Sequence, residues 1–264
     1  MVDYTNFDSN TPKVKEKKII SSSTFNLARV FGYMALGIIA TAIFTAIFGL
    51  IIWNACGCIK SGNDIYVANM DAYLGFVIGG IVPLIGMLVC SFLAGSFSFK
   101  HKAHSRSVLI PYSIYTACIG YGFGLTFPFL PFEVIAISLG ASILVFGVLA
   151  LIGLISKGNM NPLMYLAGGL MSGLFIISLF NLILIWFVPA VVVDTLFWIL
   201  SLGIFTVLML TTIWDVWHIK TIVNQNDTTP NLTLFLAFRL YVDFIAIFIR
   251  ILYYVLILYS RNRN

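Results

Sequence analysis

The chain has 264 residues, 60% of them hydrophobic and 9% charged, and a formal net charge of +5. Soluble domains are roughly 45–50% apolar and about 25% charged, so a soluble globular enzyme, a disordered chain and a disulfide-rich secreted module are excluded. The apolar runs are continuous rather than alternating, which excludes a membrane β-barrel and leaves an all-α polytopic membrane bundle.

Residues 1–28 are polar and hold the basic run Lys13, Lys15, Lys17 and Lys18. They read as a cytoplasmic tail that sets orientation, apart from one transmembrane bundle over residues 29–264. Between Val30 and Trp214 only nine charges occur: Lys60, Asp64, Asp71, Lys100, Lys102, Arg106, Glu133, Lys157 and Asp194. A hydrocarbon core about 30 Å thick needs about 20 helical residues, and the runs between these charges supply six such spans. They are Val30–Trp53, Leu74–Phe99, Ser107–Phe127, Val134–Ile155, Pro162–Phe187 and Val191–Trp214.

A seventh segment, Leu232–Tyr259, differs because it carries Arg239, Asp243 and Arg250. Each charge costs ~2.5–3.5 kcal/mol at a span centre, and Leu, Ile, Phe and Val return ~0.3–0.6 kcal/mol each. With 18 such apolar residues the two sums are comparable, so this helix is expected to lie at the centre, shielded by the other six. At 100° per residue its three charges fall within about 60° of one another. One reading makes this a buried functional stripe. The other has the two arginines snorkel to opposite interfaces and Asp243 pair with Arg239 one turn earlier.

Ten Lys and Arg residues, from Lys13 to Lys220, fall on the N-terminal side of the spans, against Lys60 on the other. The N-terminus is therefore expected in the cytoplasm. Seven full crossings place Arg261 and Arg263 outside, whereas a re-entrant last segment returns them inside, and both arrangements stay open.

Two carboxylates stand out. Asp215 and Asp243 flank the polar connector Lys220–Asn231, and their midpoint lies inside its helix-breaking core. If the helices end near Asn224 and restart near Leu232, each Asp lies roughly 14–17 Å from the turn, near the middle of the core. Hydropathy argues otherwise, because the apolar run stops at Trp214 and Trp214 with Trp217 resembles an interfacial belt. A long, tilted sixth span reconciles the two. Two carboxylates meeting in low dielectric cannot both ionise cheaply, so they share a proton and the site changes charge with pH. Doubly ionised, Asp215 and Asp243 are metal ligands for a hard cation such as Ca²⁺.

Other signals are weaker. Glu133 opens the fourth span, either as a dipole-stabilised first-turn carboxylate or as a cation ligand at the outer mouth. His218, one turn from Asp215, either tunes the titration of Asp215 or is an interfacial histidine. Cys56 and Cys58 are too close for an easy disulfide. Gly75/Gly79, Gly120/Gly124 and Gly169/Gly173 have the spacing of close helix contacts. No phosphate loop, zinc-ligand spacing or nucleophile motif is present, so no enzyme and no nucleic-acid partner is expected.

Leu240-Tyr241-Val242-Asp243-Phe244-Ile245, followed by Phe248 and Leu252, resembles the C-terminal signature of the Bax inhibitor, or transmembrane Bax-inhibitor-motif, family. Trp214-Asp215 followed by Ile219-Lys220 resembles the family's other acidic motif, and Val145–Ala150 looks like its fourth span. The specific match covers roughly residues 210–255, and the rest agrees in architecture. The resemblance implies a pH-sensitive calcium leak through a seven-helix bundle, with Ca²⁺ as the transported ion. It carries the family's paired aspartates onto Asp215 and Asp243. Relatives often lock the first Asp with an Arg at the cytoplasmic end of the second span. Here Lys100 is the nearest stand-in, and the acidic residue often found within that span is missing.

The alternative implied function is a regulator that binds a membrane protease or a cell-death partner without conducting ions, contacting it through the basic tail. The expected location is a bacterial plasma membrane, or an ER or Golgi membrane if the chain is eukaryotic.

Overall fold

The computed structural model describes the backbone of residues 11–61, 64–98, 106–184, 190–224 and 229–261, and side chains over most of these. Among the described residues eight α-helices and one short hairpin follow one another. They are α1 (Thr11–Cys56), β1 (Cys58–Ser61), β2 (Asp64–Val67), α2 (Met70–Gly79), α3 (Ile81–Ser98), α4 (Arg106–Thr126), α5 (Phe132–Ile155), α6 (Asn161–Leu184), α7 (Ala190–Asn224) and α8 (Pro230–Arg261). Among the described residues seven helical stretches are long and apolar enough to cross a membrane, with α2 and α3 together forming one of them. The chain is an integral membrane protein of the helical class.

Several boundaries differ from the expected ones for local physical reasons. The backbone is already helical at Thr11, so the basic run Lys13–Lys18 continues into the first span without a break. The second span breaks at Gly80 because Pro83 has no N–H to offer the Gly79 carbonyl one turn back. Tyr121 of α4 braces the break by donating to the Phe76 carbonyl at 2.6 Å. The loop after α1 forms a hairpin. Gly57 turns the chain out of α1 at φ +60°, a conformation that disfavours any side chain, and β1 pairs with β2 antiparallel, Cys58 facing Val67. Asn69 then caps α2 by accepting from the Ala72 N–H at 3.1 Å. Cys56 and Cys58 are free thiols buried with Ile52 beneath this hairpin, and burial raises the Cys58 thiol above its ordinary value.

The expected central helix is α8. It packs against α1, α3, α4, α5 and α7, and 44% of its span is buried against 6% of α6. α8 is one unbroken helix of 32 residues, about 48 Å long, with no re-entrant turn among its described residues. The buried core gathers toward one end of the bundle. There Tyr241 and Leu240 of α8 meet Val30 and Met34 of α1, Tyr112 of α4 and Phe146 of α5. Tyr112 packs edge-on against both Phe238 and Tyr241, at 5.5 and 5.4 Å between ring centroids.

Of the three small-residue pairs, one makes a close helix contact. A Cβ on Gly120 would lie 2.4 Å from Phe44 Cβ, and one on Gly124 would lie 2.8 Å from Phe48 Cβ, so the pair seats α4 against α1. Gly75, Gly169 and Gly173 face open space, and Gly79 meets the Tyr121 hydroxyl only at ordinary contact distance.

Candidate functional site

α7 resolves the conflict between hydropathy and hairpin symmetry. It has 35 residues and runs ten beyond Trp214 to Asn224, about 52 Å in all and longer than a 30 Å core requires. Asp215 is therefore inside a continuous helix rather than at its end, and it is only 4% exposed. α8 restarts at Pro230, close to where the sequence places it. The tip of the connector, residues 225–228, lies outside the described residues.

The two helices bring together three of the predicted residues. Arg239 reaches across from α8 to Asp215, with Nε donating to Oδ2 at 2.8 Å and Nη2 lying 2.6 Å from Oδ1. The planar guanidinium suits this two-point contact with a carboxylate. Asp243 lies one turn further along α8, and its carboxyl group adjoins that of Asp215 closely enough for the two to interact electrostatically. The Asp243 Oδ2 atom is buried and without a hydrogen-bond partner. Of the two readings of the stripe, the one that pairs Asp243 with Arg239 on the same helix is not the arrangement seen: the ion pair of Arg239 runs between helices, to Asp215.

Aromatic groups hold this arrangement. The Arg239 guanidinium sits 5.1 Å above the Trp214 ring, a favourable cation–π placement. His218 stacks on Trp214 at 4.7 Å with the rings 10° from parallel. Trp214 is buried, so it is part of the site rather than of an interfacial belt. His218 reaches the pair through this ring and through the charges of Asp215 and Arg239. Phe146 of α5 packs edge-on against Phe244, next to Asp243, at 5.6 Å. Gly153 lets α5 approach α7, since a Cβ there would lie 2.8 Å from the Ile213 carbonyl and 2.9 Å from Val216 Cβ.

The remaining candidates lie elsewhere. Arg250 is eleven residues beyond Arg239 and bonds to Ser201 of α7, Nη1 to Oγ at 3.3 Å. The stripe of three charges is thus divided between two sites. Glu133 is exposed in the first turn of α5. The Asp215 level of α7 meets α5 near Gly153, twenty residues from Glu133, or about 30 Å along the helix. Lys100 lies outside the described residues. Lys220 serves α5, donating from Nζ to the carbonyls of Leu154 at 2.5 Å and Ser156 at 3.1 Å. A cation at a helix C-terminus satisfies carbonyls that lack intrahelical donors.

Two contacts were not anticipated. Tyr241, fully buried, shares a 2.5 Å hydroxyl contact with Thr41 of α1, and Tyr112 donates to the Tyr33 carbonyl at 3.0 Å. Tyr241 belongs to the quoted C-terminal motif, so it could have been singled out. Thr41, which also bonds its own helix at Gly37, shares its apolar run with Thr45, and nothing in the sequence distinguishes the two.

As cation ligands, Asp215 and Asp243 offer part of the six to eight oxygens that Ca²⁺ takes. Among the described residues no third His, Cys, Asp or Glu joins them in a metal-binding group.

A seven-span bundle around a charged central helix, with an acid pair tied to an arginine in its interior, defines a polytopic membrane protein built around a buried ionisable site. The family described as Inhibitor of apoptosis-promoting Bax1 matches residues 25–262, and the chain belongs to that family. Comparison with curated proteins and with solved structures finds no match.

Proposed function

We propose that the protein is a pH-sensitive calcium leak pathway in which Asp215 and Asp243 are the proton sensor and gate and Arg239 is the lock. One observation carries the reading, the ion pair of Asp215 with Arg239 between α7 and α8, with the buried carboxyl group of Asp243 beside it. With one proton between them the carboxyls carry one negative charge, which the guanidinium cancels, and a neutral cluster is the least costly in a low-dielectric interior. A second proton removes the counter-charge of Arg239. Its side chain is 37% exposed and has a route to solvent, and the tie between α7 and α8 is lost. Removal of the shared proton leaves an excess negative charge that attracts a hard cation. Ca²⁺ in this scheme is cargo, and the N-terminal side of the bundle faces the cytoplasm.

The experiment is calcium flux into liposomes loaded with an indicator dye, recorded across a pH series. Asp215→Asn and Asp243→Asn are each expected to flatten the pH response. If both variants match the unsubstituted protein in flux and pH profile, the leak reading fails. If deletion of residues 1–28 also abolishes binding of a membrane partner, the non-conducting regulator takes its place.

A further inference from the structure

Arg250 carries an inference of its own. It belongs to a cleft of about 430 Å³ between α6, α7 and α8, lined by Ser178, Phe197, Ser201, Ile249, Arg250 and Tyr253 among others. This cleft shares no residue with the carboxylate pair. A guanidinium has five N–H donors, and Arg250 bonds to the Ser201 hydroxyl at 3.3 Å. Among the described residues the ion pair is that of Arg239 with Asp215, and no carboxylate pairs with Arg250.

The cleft opens sideways. Phe197, Ile249 and Tyr253 on its rim are 51%, 44% and 47% exposed, and at this level of the spanning helices the surroundings are lipid. Arg250 is level with Ser201, and Ser201 lies 19 residues before Lys220, which marks the end of α5. That separation is about 28 Å along α7, so Arg250 lies in the half of the bundle remote from Lys220, where its long side chain can snorkel toward lipid phosphates on that side. Further polar groups stand beside it. The Tyr254 hydroxyl lies 3.1 Å from Ser201 Oγ, and the Tyr254 ring is held by stacking on Trp198 at 6.1 Å and by an edge contact with Phe205 at 5.8 Å. The result is a fixed cation with hydroxyl donors above apolar walls.

We propose that this cleft binds the headgroup of an anionic phospholipid, with Arg250 as the anion ligand and Ser201 and Tyr254 as hydroxyl donors. Native mass spectrometry of the full chain in equal mixtures of phosphatidylglycerol and phosphatidylcholine with matched acyl chains tests it. The unsubstituted protein is expected to retain phosphatidylglycerol preferentially. Arg250→Gln is expected to lower that preference about fivefold, the worth of one basic residue near an anionic membrane surface. Arg250→Lys keeps the charge and should keep most of the preference, which separates loss of the ligand from loss of the fold. Arg261→Gln, a basic residue further along the same helix, should leave the preference intact. No preference in the unsubstituted protein, or full preference in Arg250→Gln, overturns the proposal. Displacement of the lipid by millimolar inorganic phosphate assigns the cleft to a free anion and overturns it as well.

Discussion

Replacing Arg239 by Gln removes the lock and leaves Asp215 in place. The variant loses an N–H donor at 2.8 Å and an ion contact at 2.6 Å from a carboxylate whose side chain is 5% exposed. Breaking a fully buried pair by deleting one partner costs about 3–5 kcal/mol. Arg239 is 37% exposed, so solvent screens part of the interaction and about 2 kcal/mol is the appropriate scale. If the ion pair exists only in the held state, that loss moves the held-to-released ratio by about 30-fold. Calcium flux into dye-loaded liposomes should rise at neutral pH, by up to that factor where the held state dominates. The pH dependence should shrink, because acid no longer has an ion pair to break. Arg239→Lys, a point charge without the planar fork, should fall between the two. Unsubstituted leak and pH profile in Arg239→Gln, at equal protein density in the liposomes, refute the reasoning.

Two further predictions concern the frame around the site. Gly124→Ala would place a Cβ 2.8 Å from Phe48 Cβ and 3.0 Å from the Gly49 backbone nitrogen. It should cost about 1–3 kcal/mol, seen as a lower thermal midpoint in detergent, while Gly173→Ala, with nothing within 4 Å, should not destabilise. Lys220→Met leaves the Leu154 and Ser156 carbonyls without their cation. It should lower stability by about 1–2 kcal/mol, and hydrogen exchange should speed up at the C-terminal end of α5.

Much of the architecture is legible in the chain because bilayer thickness imposes a length on every span. The runs marked off by Lys60, Lys100, Glu133 and Lys157 became helices, and α7 and α8 end and restart close to where the polar connector places them. Asp215 and Asp243 are legible as a pair because antiparallel helices set residues equidistant from a turn at similar depth. The partner of Arg239 is not. A helical stripe puts Arg239, Asp243 and Arg250 on one face but does not say which neighbours that face meets. Arg250 went to Ser201 and Arg239 to Asp215 because α7 lies beside both of these positions on α8. The glycine pairs show the same limit, since equal spacing produced one helix contact and two surfaces open on most sides.

Sequence alone determined how many apolar spans the chain has, which segment carries charges against the preference of the membrane, and which family its motifs resemble. Only the tertiary structure decided which neighbours each span takes and how far they bury it. α6 and α8 have mean hydropathies of 2.0 and 2.1 over their most apolar stretches, yet 6% of one and 44% of the other is buried. In water an apolar face marks the core. In a bilayer lipid tails accept apolar surface as readily as a neighbouring helix does, so hydropathy sets depth and leaves the choice of neighbours to packing and to the few polar groups that must find each other.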